Sequence, residues 1–418
     1  MAKRLRLQEL ALLIFPILLA LMGFALLGLA RTGEITAAEL RPALLFAGAL
    51  LVVYVAFALR GFPGDQLLLP LVATLTGLGL VLSYRLAPAL APRHLNWVLL
   101  GLGVMLLVAL VPRDLRWLRR YRYTWALLGL ALVALTLVFG RHPSGRGPRL
   151  WLGIGPFLFQ PSELLKVLLV AFLAGYLDEK RELLAAATYR LGPLRLPPLP
   201  YLGPLLVMWG FSLLLLVWQQ DLGAAFLFFG IFLAMLYIAS ARGSYVVGGL
   251  VLFSIGAFFI YVTFGHVRAR FDIWLNPWPG ARDASFQIVQ SLIALASGGV
   301  LGQGLGYGHP TVIPAVHTDF VFVAIGEELG LVGALALVAL YALLAHRGYR
   351  IALSAADGFE QLLAAGLTTI LTLQTLIIMA GNIRLIPLTG VTLPFVSYGG
   401  SSLVMSFFSV GLLLRISE

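Results

Sequence analysis

Long apolar runs follow one another through most of this 418-residue chain, separated by short polar breaks. A membrane-crossing helix needs ~20 mostly apolar residues. Runs of that kind fall near 9–30, 41–60, 66–84, 95–112, 122–140, 161–177, 201–219, 222–240, 244–264, 318–346, 360–386 and 393–415. The pattern predicts an all-α polytopic membrane protein with about twelve transmembrane helices. Only Gln219, Gln220 and Asp221 divide the pair at 201–240. The first run follows Lys3, Arg4 and Arg6, as the core of a secretory signal peptide would. It is long and no convincing small-residue cleavage site follows it, so it reads as a span.

Three segments interrupt the rhythm. Residues 141–160 are rich in glycine, proline and arginine, and residues 178–200 carry mixed charge before a proline-rich stretch. Residues 265–317 are the longest interruption. Within them FQIVQSLIALASGG, 286–299, has the apolar spacing of a short interfacial or re-entrant helix. Gly302, Gly304, Gly306 and Gly308 come next. No strand precedes them, which argues against a dinucleotide fingerprint. They read either as flexible backbone around a substrate or as a plain connector.

Composition agrees with the pattern: 60% of residues are hydrophobic and 11% charged, with mean hydropathy +0.97. A soluble domain carries about 25% charged residues. The net charge of +11 does not require a nucleic-acid partner, because basic residues mark cytoplasmic loops. With the N-terminus inside, the inner loops hold Arg60, the group Arg113, Arg116, Arg119, Arg120 and Arg122, then Lys180, Arg181, Arg190, Arg195, Arg242, Arg347 and Arg350. Both termini are then cytoplasmic, while 141–160 and 265–317 face outward. Cysteine is absent, so disulfides are excluded.

The candidate chemistry is concentrated in a few polar clusters. His317, Thr318 and Asp319 precede a span that carries Glu327 and Glu328. A charge in lipid costs ~2.5–3.5 kcal/mol on insertion scales, so such groups are retained for pairing, substrate handling or catalysis. This cluster reads either as a structural ion-pair network or as a polar cavity open to the outer face. Gln160-Pro161-Ser162-Glu163 opens a helix, and Lys166 lies at i+3 from Glu163, on the same face. That pair can fix a helix or bind a polar headgroup. Asp221 can cap the next helix. Arg149 beside Trp151 can hold phosphate oxygens or simply mark the membrane interface, and Arg268 with Arg270 can also bind phosphate. The small residues of LPFVSYGGSS, 393–402, suit close helix packing. His317 and Asp319 supply two potential metal ligands, too few for a site. No Ser-His-Asp arrangement or P-loop is readable.

Six motifs occur in order: FQPSELLK at 159–166, QQDLGAA at 219–225, NPW at 276–278, FQIVQSLIALASGGVLGQGLGYG at 286–308, HTDFVFVAIGEELGLVG at 317–333 and PLTGVTLPFVSYGGSS at 387–402. They resemble the RodA/FtsW/SpoVE family, the SEDS proteins of cell shape, elongation, division and sporulation. The resemblance covers about 66–418 and leaves 1–60 as a two-helix extension before the family's ten-span core, 61–418. It implies a peptidoglycan glycosyltransferase of the bacterial cytoplasmic membrane that polymerises lipid II at the outer face. A class B penicillin-binding protein is the implied partner. A sugar hydroxyl must attack an anomeric carbon as polyprenyl pyrophosphate departs, with a carboxylate as general base and cations, or a divalent metal, on the pyrophosphate.

One position departs from the resemblance. The family's essential aspartate sits in a pattern like NPW-x-D-P-x-G-x-G-Y-Q, and here Gly280 stands in its place. Asp283 occupies a usual glycine and is the one acidic residue between Asp272 and Asp319. Asp283 is therefore the surrogate base, with His317 and Asp319 as further catalytic groups. Arg149, Glu163, Lys166, Arg270, Gln287, Glu327 and Glu328 are the expected substrate contacts. Three residues of extended chain reach up to ~10 Å, so the substitution requires a rearranged loop. A noncatalytic scaffold is the alternative that Gly280 favours. A lipid flippase or transporter is another, expected to show paired repeats and broken helices.

Overall fold

The computed structural model describes residues 6–111, 114–142, 148–154, 157–186, 189–191, 194–196 and 199–418. The chain forms two compact units, Met1–Val111 with Phe271–Arg347 and Gln374–Glu418, and Pro112–Arg270 with Gly348–Leu373. Among the described residues nine helices are long and apolar enough to cross a membrane. Every one of the expected spans contains a helix, though two are cut differently from the sequence pattern.

The first unit begins with α1 (Leu7–Thr32), α2 (Ala37–Arg60), α3 (Leu68–Leu86) and α4 (Ala91–Leu110). Thr36 starts α2 with a capping box: its side chain accepts from Glu39 N–H and the Glu39 carboxylate returns to Thr36 N–H. Gly33 and Gly61 close α1 and α2 in the left-handed conformation. α1 packs on α2 and α3, and α2 on α4. The 62–65 turn is held by Arg6, which pairs with buried Glu9 at 2.5 Å and donates to the Phe62 and Gly64 carbonyls. The most extensive contact of this unit joins α4 to α16 (Gly400–Ile416). Gly411 permits it, because a Cβ there would lie 2.9 Å from the Met105 carbonyl oxygen.

The second unit holds α5 (Arg116–Arg120), α6 (Arg122–Phe139), α7 (Pro161–Ala186), α8 (Leu199–Trp218), α9 (Leu222–Ser240) and α10 (Gly243–Thr263). α7 packs on α6 and α9, and α9 on α8 and α10. The two segments read as loops each contain a small antiparallel hairpin. Strands β1 (Leu152–Ile154) and β2 (Phe157–Phe159) form one, and β3 (Tyr189–Leu191) and β4 (Leu194–Leu196) the other.

The remaining helices are α11 (Gly265–Leu275), α12 (Phe286–Gly298), α13 (Val321–Glu328), α14 (Gly330–Ser354) and α15 (Gly358–Asn382). The expected short helix at 286–299 is α12. The run at 318–346 is not one span: α13 stops at Glu328 and α14 starts at Gly330. Gly330 has φ +69°, and the Glu327 and Glu328 carbonyls accept from Gln303 and Gly304 N–H. The last run also starts late. Residues 393–399 are loop, with buried Phe395 at φ 66°, and α16 begins at Gly400.

Candidate functional site

In the first unit, polar residues of the long 265–317 segment gather around α13. Glu328 is fully buried and pairs with Arg85, whose Nε lies 3.0 Å from Glu328 Oε1. Arg85 also donates to the Gly306 and Gly308 carbonyls at 3.2 and 2.8 Å. Glu328 Oε2 accepts from Gly306 N–H at 3.1 Å, and Glu327 Oε1 from His309 N–H at 2.8 Å. A full charge buried in a low-dielectric region is tolerated only with such partners. Both glutamates therefore clamp the 302–309 loop. Glu327 Oε2 is buried without a hydrogen-bond partner.

This overturns the reading of the glycine run as flexible. Gly302, Gly304 and Gly306 have φ of 85°, 98° and 91°. A Cβ on Gly302 would overlap the Glu328 carbonyl. Glycine is used here for close backbone approach and positive φ, and the loop it makes is fixed by hydrogen bonds.

The His317–Asp319 turn is held through its backbone. Tyr398 N–H donates to the His317 carbonyl at 2.9 Å, Ser397 Oγ to Thr318 O at 2.6 Å, and Asn382 Nδ2 to Asp319 O at 2.8 Å. Three successive carbonyls are thus taken by the 393–399 loop and the end of α15. Ser397 also accepts from Leu393 N–H at 3.0 Å, so its role exceeds the helix packing read from LPFVSYGGSS. The His317 ring lies 5.9 Å from the Tyr398 ring. Partial burial disfavours the imidazolium and lowers the His317 pKa from its ordinary value.

The loop that carries Asp283 is a compact turn. Gly280 O accepts from Asp283 N–H and from Ser285 N–H, both at 3.0 Å. A turn closed this way holds the Gly280 and Asp283 Cα atoms within about 7 Å, shorter than the extended reach expected from sequence. Asp283 is exposed and makes no side-chain hydrogen bond or ion pair among the described residues. Gln287 ties the following helix to the His317 segment by donating to Pro314 O at 3.3 Å. On the other side, Arg384 donates to the Trp274 and Leu275 carbonyls at 2.8 and 2.9 Å, and Trp274 Nε1 returns to Arg384 O. Those bonds anchor the chain just before Asn276-Pro277-Trp278.

The second unit holds the other cluster. Lys166 Nζ is 2.6 Å from Glu163 Oε2, with both side chains mostly buried. Gln160 Nε2 donates to Ser162 Oγ at 3.0 Å and to Asp221 Oδ2 at 3.4 Å. Asp221 Oδ1 accepts from Ala224 N–H at 3.0 Å and so caps α9. Glu163, Lys166 and Arg270 all lie close enough to act electrostatically on Asp221. Arg149 is exposed and makes no side-chain bond among the described residues.

Arg85, Asn382, Ser397 and Arg384 are the positioning residues that sequence reasoning missed. Arg85 and Arg384 each left a signal, as a cation at the end of an otherwise apolar run. Among the described residues no three His, Asp or Glu side chains converge as a metal would require, and His317 with Asp319 supply only two. The described residues do not fit a divalent ion.

The FtsW/RodA/SpoVE model, described as cell cycle protein, matches residues 66–418. The peptidoglycan glycosyltransferase RodA of Mycobacterium leprae is 42% identical over 364 residues, covering 85% of this chain and 78% of the relative. The probable peptidoglycan glycosyltransferase FtsW of Geobacter sulfurreducens is 36% identical over 367 residues, covering 84% and 95%. Among solved structures, a chain of a peptidoglycan synthase complex studied for coordination of polymerization and crosslinking superposes with TM-score 0.71 at 28% identity. That match covers 85% of this chain and 98% of the other. The Rod shape determining protein RodA of Thermus thermophilus gives TM-score 0.61 at 28% identity, covering 85% and 97%.

Proposed function

The chain belongs to the FtsW/RodA/SpoVE family, and from that membership we propose that it is a peptidoglycan glycosyltransferase polymerising lipid II at the outer face of the cytoplasmic membrane. The observation that carries the reading is the match of its model along 66–418, with the outer-segment motifs built into one hydrogen-bonded frame. The reaction removes a proton from an acceptor sugar hydroxyl. Its oxygen attacks the donor's anomeric carbon, and the polyprenyl pyrophosphate leaves with the bonding electron pair. Asp283 is the base: its carboxylate is exposed, unpaired and held on a turn closed at Gly280. His317 and Asp319 flank the acceptor hydroxyl, and Gln287 orients the headgroup. Arg149 and Arg270 bind pyrophosphate oxygens, and the Glu163–Lys166 pair holds the polar headgroup. Glu327 and Glu328 act through the 302–309 loop and do not touch the sugar.

Residues 61–418 form the catalytic membrane core, with 1–60 as its two-helix extension. A class B penicillin-binding protein is the partner, a reading supported by the synthase-complex neighbour. Both termini are cytoplasmic. A cysteine at Asp283 should then react with an impermeant thiol reagent in intact cells, and one at Arg116 only after lysis. The opposite pattern would invert the topology.

The decisive assay is polymerisation of labelled lipid II by the purified chain, with and without its partner. Asp283→Asn nearly preserves size and removes the base, so it should abolish glycan polymerisation while the protein stays folded. Unchanged polymerisation removes Asp283 from the mechanism. The second reading is a noncatalytic scaffold, favoured by Gly280 at the family's aspartate position. It requires an inactive parent. Activity gained by Gly280→Asp in that parent would establish it. A Cβ at Gly280 meets only the movable Ser285 hydroxyl within 3.4 Å, so the substitution fits.

A further inference from the structure

A second polar site lies in the second unit, away from Glu163 and Lys166. A cleft of about 790 Å³ is lined by four arginines, Arg116, Arg119, Arg120 and Arg122, and three carboxylates, Asp114, Asp357 and Glu360. At ~1.5 Å rise per residue, Glu179, which pairs with Arg122, sits roughly 24 Å along α7 from Glu163. That separation is most of a ~30 Å hydrocarbon core. The cleft therefore lies near the opposite membrane face from the Glu163 cluster.

Its arginines are unequally used. Arg119 is paired with Asp178 at 3.0 Å and with Asp357 at 3.6 Å. Arg122 binds Glu179 and the Gly175 carbonyl, but its Nε is buried without an acceptor. Among the described residues Arg116 pairs only with Asp114, at 3.9 Å, with its side chain 91% exposed. Arg120 has no ion pair among the described residues and rests over the Tyr121 ring. Arg120, an Arg116 held only by a long contact to Asp114, and an unmatched donor thus line one cleft.

The surroundings identify the medium. Leu115 and Leu118 anchor α5 in the protein, while Trp117, Tyr121 and Tyr123 are exposed beside it. Leu127 and Leu128 on the next turns of α6 are exposed apolar residues. Aromatic rings mixed with arginine at the end of a spanning helix mark the membrane–water boundary. A phosphate at that boundary suits arginine's planar donor fork. We propose that this cleft binds the phosphate of an anionic phospholipid headgroup, with Arg116 and Arg120 as its principal ligands.

The test is native mass spectrometry of the full chain, released from nanodiscs holding equal phosphatidylglycerol and phosphatidylcholine. Each arginine near a charged surface contributes ~1 kcal/mol, so the parent should retain phosphatidylglycerol over phosphatidylcholine by at least about fivefold. Arg116→Gln with Arg120→Gln should bring the ratio close to unity. Both side chains are exposed, so the thermal midpoint should be unchanged. Asp114→Asn frees Arg116 and should raise the ratio. Arg242→Gln, a basic residue outside the cleft, should leave it alone. A double variant with the parent's preference would overturn the site. Loss of the preference in ~10 mM inorganic phosphate would make this a free-phosphate site and overturn the lipid assignment.

Discussion

Each unit buries a carboxylate–cation pair among its candidate site residues, and these two pairs are built by opposite means, although the first unit also holds a local pair, Arg6–Glu9. Glu163 and Lys166 are neighbours on one helix turn of the second unit. Arg85 and Glu328 are 243 residues apart in the first unit and meet only because α3 and α13 are folded. The local pair depends on its own helix and forms wherever that helix forms. The distant pair depends on the tertiary frame, and the frame depends on it. Arg85 and Glu328 between them also bind three backbone groups of the glycine loop. Sequence spacing reveals the first kind of pair and hides the second.

The largest effect should come from breaking the distant pair. Arg85→Met leaves Glu328 buried without its cation and frees the Gly306 and Gly308 carbonyls. Removing one partner of a buried pair costs about 3–5 kcal/mol. Denaturant or thermal unfolding in detergent should show a loss in that range. The Arg85→Met/Glu328→Gln double variant should recover only part of it, because the Gly306 and Gly308 carbonyls still lack their donor. A single variant within about 1 kcal/mol of the parent would show that the clamp is not structural.

The local pair should cost less. Lys166→Met or Glu163→Gln should destabilise by about 2–3 kcal/mol, since the two side chains remain 6% and 14% exposed and can reach water. The charge exchange Glu163→Lys/Lys166→Glu should restore part of that. It keeps the pair but places a cation in the first turn of α7, where the helix dipole disfavours it. The same exchange at Arg85 and Glu328 should restore nothing, because Gly306 N–H would face a donor. Equal recovery at both sites would erase the distinction between them.

The boundary between what was legible and what was not follows the same line. The apolar runs, α12, the Asp221 cap and the Glu163–Lys166 pair are local patterns; among the described residues nine of the runs hold a helix long and apolar enough to cross a membrane, and α12, the cap and the pair are present. The break at Leu329–Gly330 was invisible because the apolar run continues through it. It is set by Gln303 and Gly304 amides that are distant in sequence. The frame around His317–Asp319 was also hidden, since Asn382 lies 63 residues away and Ser397 lies 79 residues from Thr318. Both carry ordinary side chains that fit many roles. Asp283 was found by elimination, but its nearness to Gly280 needed the turn.

The smallest effect tests the purely local end of the comparison. Asp221 caps α9 through Ala224 N–H and also receives Gln160 Nε2 at 3.4 Å. The cap is intrinsic to α9, whereas the second bond joins α9 to the start of α7. Asp221→Ala removes both and should cost about 1 kcal/mol, the usual value of a cap. Asp221→Asn keeps a capping oxygen and can still accept from Ala224, so a cap alone predicts a change of only a few tenths of a kcal/mol. The Asn variant does remove the carboxylate on which Glu163, Lys166 and Arg270 act electrostatically. If Asp221→Asn is as damaging as Asp221→Ala, the charge matters more than the cap, and the second unit holds a tertiary electrostatic cluster like that of the first. If it is nearly silent, Asp221 acts by local helix geometry alone, and the contrast between the two units stands.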